Sequence, residues 1–377
     1  MGKHIYLGSP TMHGEEFQYV KEAFDKNWIA PVGFNLDELE KQVNEYMTEG
    51  SDHPWYTCAV VSGTSALHLC AMLAGVKQGD TVLVSDATYC ATAFPLAYEK
   101  ANLVFVDSER ESWNMDPAAL ELAFQKHPET KFVMVAHLYG TPANMDAIRE
   151  VCDRHSAIII EDAAEGMGSL YKGRKCGTLG DYNAISFNGN KIITTSMGGM
   201  VIAKDKATRD EALNLATQAR EPVVWFEHAK LGNNYRMSNV LAGIGRGQMP
   251  HLYEHRALKR KLYDTYKEAF ENLPVTMNPI PDWCESNYWL SAILIDKDCK
   301  VKPMDVLQAM LKIADAEGRP TWKPMSLQPV FKDCECVHVE DYPVGYDLYD
   351  RGLCLPSDIK NTDEDMELII KAVKSCF

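Results

Sequence analysis

One lysine, Lys191, has neighbours that suit covalent chemistry. It follows a predicted apolar strand over residues 184–187 and a polar turn over residues 188–190, and it precedes Ile192 and Ile193. Partial burial disfavours an ammonium ion and lowers its pKa, which frees the amine to attack a carbonyl carbon. A single lysine after a strand is more often a solvated surface residue. The residues around it must therefore decide between these two interpretations.

Short apolar runs alternate with helical patterns through the first half of the chain. The runs cover residues 81–85, 103–106, 132–136 and 157–160, and helical spacing is found between them at 92–100, 117–126 and 146–155. Continuous apolar strands separated by helices predict a parallel sheet that is covered on both faces. Ligands in such sheets bind at the carboxyl ends of the strands. Polar residues directly after these runs are therefore candidates for a site.

Several polar groups occupy such positions. They are the segments Asp86-Ala87-Thr88-Tyr89, His137-Leu138-Tyr139-Gly140 and Glu161-Asp162-Ala163-Ala164-Glu165. In addition, Ser62-Gly63-Thr64-Ser65 opens a predicted helix, where free N–H groups, the helix dipole and hydroxyls favour an anion. An ordinary helix N-cap explains the last segment equally well.

Composition excludes several classes of function. The chain has 377 residues and a formal charge of −15, whereas a nucleic-acid-binding surface is basic. Eleven cysteines lie without metal-ligand spacing, so we expect reduced thiols in the cytoplasm and no metal site. No stretch is long and apolar enough to cross a membrane. The glycine-rich segment 243–247 follows no strand, which disfavours a nicotinamide oxidoreductase.

The strand-end groups together match the requirements of a phosphorylated aromatic aldehyde, pyridoxal 5′-phosphate (PLP). Lys191 would bond the aldehyde, and Asp162 would keep a ring nitrogen protonated so that the ring withdraws electrons. Tyr89 would stack on the ring, and Gly63, Thr64 and Ser186 would hold the phosphate. Each residue also has an ordinary structural explanation. The ordered recurrence of these groups at strand ends favours the cofactor site.

Nine blocks of the sequence resemble, in order, the DegT/StrS sugar aminotransferases, which are fold-type I PLP enzymes. They cover residues 27–31, 62–67, 86–92, 137–140, 161–165, 177–181, 186–191, 234–238 and 319–325. The form Asn188-Gly189-Asn190-Lys191 is most similar to the subgroup that aminates UDP-linked 4-keto-6-deoxy sugars, as in bacillosamine synthesis. Three positions depart from the family pattern: Met197, Asn233 and Ser326.

The resemblance implies an α/β fold like that of aspartate aminotransferase. A large, mostly parallel sheet domain is expected over residues 1–245 and a smaller α/β domain over 246–377. A homodimer with shared active sites is also implied, in which Asn234 reaches the neighbouring subunit's cofactor phosphate. Glu165 is expected near the phenolic oxygen of the cofactor.

The site residues expected on these grounds form three groups. The catalytic residues are Lys191 and Asp162. The cofactor-binding residues are Gly63, Thr64, Ser65, Tyr89, Asp162, Glu165, Ser186, Asn188, Lys191 and Asn234. The substrate-binding residues are Asn27, Trp28, Ile29, Ala30, Arg236, Arg319, Trp322 and Lys323. Arg236, Arg319 and Lys323 are chosen because a diphosphate needs cations, although solvated surface charges are about as frequent.

The implied activity is transfer of an amino group from L-glutamate to C4 of a nucleotide-linked 4-keto-6-deoxy sugar for surface glycan synthesis. The favoured substrate is UDP-2-acetamido-2,6-dideoxy-4-hexulose. The alternatives are an aminotransferase for another keto sugar and a non-catalytic regulator that binds PLP or a sugar nucleotide. Related sugar 3-dehydratases have histidine at the lysine position, so Lys191 argues against that reaction.

Overall fold

The computed structural model describes residues 4–377. Its strands, in chain order, are β1 (Tyr56–Val60), β2 (Thr81–Ser85), β3 (Asn102–Val106), β4 (Phe132–Ala136), β5 (Ile158–Asp162), β6 (Leu170–Tyr171), β7 (Arg174–Lys175), β8 (Tyr182–Ser186), β9 (Gly199–Ala203), β10 (Val275–Met277), β11 (Cys284–Glu285), β12 (Ser291–Ile295), β13 (Arg319–Pro320), β14 (Glu335–Val337) and β15 (Gly352–Leu355).

The α-helices surround two main sheets. They are α1 (Glu15–Asp25), α2 (Phe34–Thr48), α3 (Gly63–Ala74), α4 (Phe94–Tyr98), α5 (Pro117–Lys126), α6 (Met145–Arg154), α7 (Lys206–Ala216), α8 (Asn239–Gln248), α9 (Leu252–Ala269), α10 (Pro303–Ala314), α11 (Val344–Arg351) and α12 (Asp363–Lys374).

The large sheet has the order β1-β9-β8-β5-β4-β2-β3-β14. Strand β9 pairs antiparallel with both β1 and β8, and every other neighbouring pair is parallel. Its central strands are short apolar runs, and β4 is buried along its whole length. Two separate apolar clusters cover the two faces. The prediction of a mostly parallel sheet covered on both faces is therefore confirmed.

A second sheet, β10-β12-β15-β13, is antiparallel and belongs to the C-terminal part of the chain. Its core is built with α9, α10 and α12. Several contacts cross the proposed division at residues 245/246, including two strand pairings. Strand β14 joins the large sheet beside β3, and Ile5 forms a bridge with Ala316 and packs in the second core. The division into two domains stays a proposal, because segments from each side of residues 245/246 pair with the other side.

Helices α8 and α9 do not form one continuous helix. A 3-10 turn at Met249–His251 separates them. Pro250 lacks the N–H that a continuous helix needs, which explains the break. The glycine-rich segment 243–247 lies inside α8, as expected, where its glycines allow close contact with α1 and α2.

Candidate active site

A cavity of about 310 Å³ opens at the carboxyl edge of the large sheet. Residues that follow β1, β2, β4, β5 and β8 line it, together with two tryptophans from the C-terminal part. The lining residues are Ser62, Gly63, Thr64, Leu67, Thr88, Tyr89, Ala91, Ala136, His137, Leu138, Asp162, Ala164, Glu165, Ser186, Asn188, Asn190, Lys191, Met197, Gly198, Trp289 and Trp322. These five strands run in the same direction, so the groups after their ends meet at one edge.

The N-terminus of α3 forms one wall of the cavity. Ser62 caps this helix, because its Oγ accepts a hydrogen bond from Ser65 N at 3.0 Å. A Cβ on Gly63 would lie 2.8 Å from Ser186 Cβ, and one on Gly199 would lie 2.4 Å from the Ser62 carbonyl oxygen. Only glycine therefore permits this approach of helix to sheet. The first N–H groups of the helix, which lack intrahelical acceptors, are available to an anion.

Lys191 lies between an acid and an aromatic ring. Its Nζ is 3.7 Å from Glu165 Oε1 and 3.8 Å from the centroid of the Trp289 ring. The Trp289 indole is itself held, since its Nε1 donates a hydrogen bond to Asn190 O at 2.8 Å. Burial lowers the pKa of Lys191, and the charges of Glu165 and Asp162 partly offset this effect. The lower pKa increases the fraction of free amine, which is the nucleophilic form.

Asp162 ends β5, and hydrogen bonds fix its carboxylate. Its Oδ2 accepts a hydrogen bond from Thr92 Oγ1 at 2.7 Å, and its Oδ1 accepts one from Ala164 N at 3.0 Å. The Thr92 hydroxyl in turn contacts Thr88 Oγ1 at 2.7 Å. Burial raises the pKa of Asp162, whereas these hydrogen bonds and the Lys191 charge lower it. The carboxylate is therefore positioned but lacks an adjacent cation among the described residues.

Glu165 adds a second buried carboxyl group. Its Oε2 accepts a hydrogen bond from Tyr139 N at 2.8 Å, and Tyr139 has the left-handed backbone angle φ 53°. Burial raises the pKa of Glu165, and the charge of Lys191 opposes this. Two carboxyl groups thus face one amine in a buried cavity. A ligand with a protonated ring nitrogen would restore the charge balance.

The Trp289 segment is anchored by a buried lysine, Lys259, on α9. Lys259 Nζ donates hydrogen bonds to Trp289 O at 2.9 Å and to Ser357 O at 2.8 Å. Burial lowers the pKa of Lys259 to about 8, and the charge of Asp358 opposes the shift. Lys259 therefore positions the ring that packs on Lys191, although it does not line the main cavity.

Lys259→Met should remove a contribution that raises stability at alkaline pH. Between pH 8 and about 10.5 the lysine is protonated in the unfolded chain and mostly neutral in the folded chain, so this one group makes the free energy of unfolding rise with pH by about 3 kcal/mol across the window. The variant lacks this group and should lose that rise. Urea unfolding at several pH values measures it, with exposed Lys267→Met on the same helix as control. Equal slopes for the wild type and Lys259→Met would contradict the prediction.

The structure brings most of the expected cofactor residues together. Gly63, Thr64, Tyr89, Asp162, Glu165, Ser186, Asn188 and Lys191 all line the cavity, and so does the expected substrate residue Trp322. Ser65 donates its N–H to the capping Ser62 Oγ and does not line the cavity. The Trp322 indole Nε1 lies toward Glu165, whose pKa it lowers, but it makes no hydrogen bond of normal geometry within residues 4–377.

Arg236 does not face the cavity, which differs from its expected substrate role. Its guanidinium forms an ion pair with Glu40 and donates a hydrogen bond to Ala59 O at 3.0 Å. The side chain is only 9% exposed. Its charge is therefore already compensated by a partner within the chain, and a diphosphate would have to displace that carboxylate. The sequence could not show this pairing because Glu40 lies 196 residues away.

The other expected substrate residues lie outside this cavity. Residues 27–30 form an exposed loop held to α8, where Asn239 Nδ2 donates to Trp28 O at 2.8 Å and Asn239 N donates to Ala30 O at 3.0 Å. The expected cofactor residue Asn234 also lies outside the cavity; it is exposed and forms a backbone bridge with Thr217. Arg319 belongs to β13, and Lys323 follows Trp322; neither lines the cavity.

Some contributors could not be assigned from the sequence. Thr92 and His137 belong to blocks that resemble the family, but the sequence assigned them no function in the site. Trp289 is about one hundred residues from the lysine that it contacts. Buried His137 makes a 2.9 Å contact with Glu161, the residue before Asp162. No local spacing signals these tertiary contacts.

The three departures from the family pattern have different positions. Met197 lines the cavity. Ser326 is turned to Asp86, which accepts hydrogen bonds from its N and its Oγ at 2.7 Å each. Asn233 lies near Met72, 3.4 Å from its Sδ. Of the three, only Met197 can contact a ligand in the cavity.

Comparison with known proteins agrees with this arrangement. The sequence profile of the DegT/DnrJ/EryC1/StrS aminotransferase family matches residues 10–374. The chain belongs to this family. The prediction of the family from nine sequence blocks is therefore confirmed.

Three relatives of this DegT-family chain illustrate the match. The putative pyridoxal phosphate-dependent aminotransferase EpsN of Bacillus subtilis is 41% identical over 100% of the chain and 97% of its own length. GDP-perosamine synthase of Escherichia coli O157:H7 is 32% identical over 100% of the chain and 99% of its own length. The PLP form of the putative sugar aminotransferase Spr1654 of Streptococcus pneumoniae shares the fold, with a TM-score of 0.89 at 22% identity. The match covers 99% of this chain and 98% of the other.

These findings establish the general activity. The DegT-family chain is a PLP-dependent sugar aminotransferase with the fold-type I architecture. The expected cofactor and enzyme class are confirmed. Among the described residues, no helix has the length and apolar character required to span a bilayer.

Proposed function

We propose that the protein transfers the amino group of L-glutamate to C4 of a nucleotide-linked 4-keto-6-deoxy sugar. The observation that carries the proposal is the cavity in which Lys191, Asp162 and Glu165 meet the N-terminus of α3. An amine, a carboxylate for a ring nitrogen and an anion-binding helix end are the groups required to hold PLP.

The chain's own residues have distinct roles in this proposal. Bound PLP supplies an aldehyde that accepts the amino group and a ring that withdraws electrons. Lys191 Nζ would hold the aldehyde carbon between turnovers and would move a proton at the α-carbon of the donor or at C4 of the sugar. Asp162 keeps the ring nitrogen protonated, and Gly63, Thr64 and Ser186 hold the phosphate.

The outer part of the cavity would receive the sugar. Tyr89 and Trp322 form an aromatic pair there, with ring centroids 5.5 Å apart, and more than half of the Tyr89 side chain is exposed. Arg319 and Lys323 flank Trp322 in the chain and have no ion-pair partner among the described residues, unlike Arg236. They are the better candidates for contact with the diphosphate.

Two nucleotide carriers deserve direct comparison. The pattern around Lys191 favours UDP-2-acetamido-2,6-dideoxy-4-hexulose. The name GDP-perosamine synthase, at 32% identity over the whole chain, favours a GDP-linked keto sugar as the second candidate. Both candidates involve the same amino transfer and differ only in the carrier and the substituents of the ring.

The test uses the purified enzyme with PLP, L-glutamate and a panel of UDP-, GDP- and dTDP-linked 4-keto sugars. Mass spectrometry follows the change from ketone to amine, and oxoglutarate release is measured in parallel. We expect the largest kcat/KM with the UDP-linked substrate, and a larger value with the GDP-linked one would select the second candidate. No conversion and no oxoglutarate release across the panel would overturn the proposal.

The proposal includes a homodimer with shared active sites, because one copy exposes two groups of large apolar side chains. We name these two groups together the apolar rim; they comprise Phe17, Phe24, Trp28, Ile29, Val32, Phe34, Val224, Trp225, Phe226 and Leu231. Phe226 is 80% exposed and Phe17 is 73% exposed. Exposed apolar surface of this extent is typical of an interface. The rim includes Trp28 and Ile29 of the segment 27–30 and lies close to Asn234 in the chain, and these residues would then serve the neighbouring subunit's cavity.

A double substitution in the rim, Trp225→Ser with Phe226→Ser, should shift the protein from dimer to monomer and reduce turnover. Each change removes aromatic surface from the proposed interface. Sedimentation velocity should show about twice the chain mass of 42.3 kDa for the wild type and a single chain mass for the variant. The control is Leu311→Ser on α10, which is also exposed but lies outside the rim. A monomeric wild type, or a fully active monomeric variant, would contradict the shared site.

A further inference from the structure

Three histidines from distant parts of the chain form a cluster away from the cavity. His13 precedes α1, His251 lies in the turn before α9, and His255 lies on α9. The rings of His13 and His251 stack with centroids 3.4 Å apart, and His13 Nε2 is 2.8 Å from His255 Nε2. Glu254 adds a carboxylate, with Oε2 2.8 Å from His251 Nδ1. We call this group the histidine cluster.

We infer that the histidine cluster binds a divalent transition-metal ion of the zinc class through His13, His251, Glu254 and His255. One ligand atom each from His13, His251 and Glu254 already lies within 4.8 Å of the other two. Imidazole nitrogen and carboxylate oxygen are ligands that Zn²⁺ accepts. The Glu254 carboxylate, which contacts His251, also compensates part of the ion's charge.

The hydrogen bonds of His255 prepare one ligand atom. His255 Nδ1 lies 2.7 Å from Ile192 O, and a carbonyl oxygen only accepts, so Nδ1 carries the proton. The Nε2 of neutral His255 therefore has the free lone pair. A ligating histidine commonly donates its other ring N–H to a backbone carbonyl, which fixes ring orientation and tautomer.

Binding requires His13 to leave its stack on His251, because two parallel rings 3.4 Å apart cannot both direct an in-plane nitrogen lone pair at one ion. In the hydrogen-bonded arrangement His13 Nε2 donates its proton to His255 Nε2, and an ion between them would replace this contact. The proton moves to His13 Nδ1, so the ring stays neutral and no proton is lost. Zn–N bonds in a tetrahedral site place neighbouring nitrogens about 3.4 Å apart. The observed 2.8 Å must widen slightly, and the irregular segment that carries His13 permits this movement.

A second cluster with similar residue types shows why this one is chosen. His137, Glu161 and Cys176 also lie close together, but they are buried and Glu161 is saturated. It contacts His137 Nε2 and accepts hydrogen bonds from three backbone N–H groups, those of Gly177, Leu179 and Gly180. That carboxylate has a structural role. In contrast, Glu254 is largely exposed and free to turn toward an ion.

An ion in the cluster would connect the N-terminal segment to α9 near the catalytic lysine. Gly8, Ser9 and Thr11 of that segment line a small polar cavity that Lys191 and His255 also line. The ion would therefore stabilise the wall behind Lys191. The inference does not depend on which sugar is aminated, because it concerns binding of the ion alone.

The test is titration of EDTA-treated, PLP-loaded enzyme with Zn²⁺ by calorimetry and with Co²⁺ by absorption spectroscopy. We expect one ion per chain, a higher Tm in its presence, and a cobalt spectrum of nitrogen and oxygen ligands without thiolate bands. His13→Gln and His251→Gln should each weaken binding of the ion by about tenfold or more. His53→Gln, an exposed histidine outside the cluster, should leave it unchanged.

Other outcomes would overturn the inference. Absence of binding by the wild type would do so, as would thiolate bands in the cobalt spectrum, since eleven cysteines offer competing sites. Equal affinity of wild type and both cluster variants would also reject it. Circular dichroism and Tm of the ion-free variants separate loss of a ligand from loss of the fold, and Glu254→Gln, at an exposed position, provides a variant with little risk of misfolding.

Discussion

Lys191→Ala should abolish amino transfer while the fold is retained. The amine is the group in the cavity placed to hold the aldehyde and to move the proton, and loss of a residue with both roles costs on the order of 10⁴- to 10⁶-fold in kcat. The folded state should tolerate the change because burial already disfavours the charged amine. Glu165, left without its cationic neighbour, would take up a proton in response to burial.

Two measurements check this prediction. The first is turnover with the best keto sugar of the panel. The second is borohydride treatment followed by peptide mass spectrometry, which should show cofactor fixed to Lys191 in the wild type and to no residue in the variant. Lys204→Ala, a lysine just after β9 with an exposed side chain near Asp181, is the matched control. Wild-type turnover in Lys191→Ala, or cofactor fixed to another lysine, would refute the assignment.

Much of the site was predictable because it depends on strand order and strand ends. Apolar runs of about five residues separated by helices specify a parallel sheet, and that sheet brings all its carboxyl ends to one edge. Lys191, Asp162, Glu165 and Gly63 were therefore expected near one another although more than 120 residues separate the first from the last. A helix N-cap within residues 62–65 was likewise expected from residue type, and the structure identifies Ser62 as the cap.

The remaining features depend on tertiary contacts that leave no local pattern. Trp289 reaches Lys191 from the C-terminal part through an anchor on α9, and no periodicity connects these residues. The three residues of β14 are too few to show alternation, so their addition to the large sheet was not expected. Arg236 illustrates the same limit for charges: its sequence neighbourhood suggested a substrate contact, but packing placed Glu40 beside it. The tertiary structure, and not the local sequence, determines which group neutralises a buried charge.

Charge balance in the cavity leads to the second large effect. Asp162 and Glu165 are both buried, and burial raises the pKa of each carboxyl group. Lys191 is 3.7 Å from Glu165, so its charge serves that carboxylate first. Asp162 is held by neutral donors from Thr92 and Ala164. Its negative charge is therefore available to a protonated ring nitrogen, which is the form of the cofactor that withdraws electrons.

Asp162→Asn should lower kcat by roughly 10²- to 10³-fold, because it removes a buried charge that stabilises the reaction. The amide has the same shape and can still accept a hydrogen bond from Thr92, so Tm and covalent attachment of PLP to Lys191 should change little. Thr92→Val is the matched comparison: it removes the bond that orients the carboxylate, together with the contact to Thr88, but keeps the charge of Asp162, and it should cost much less. If Asp162→Asn turned over at the wild-type rate with cofactor attached, the ring nitrogen would have no need of this carboxylate. If instead the variant lost its cofactor entirely, Asp162 would act in binding and not in the chemical step.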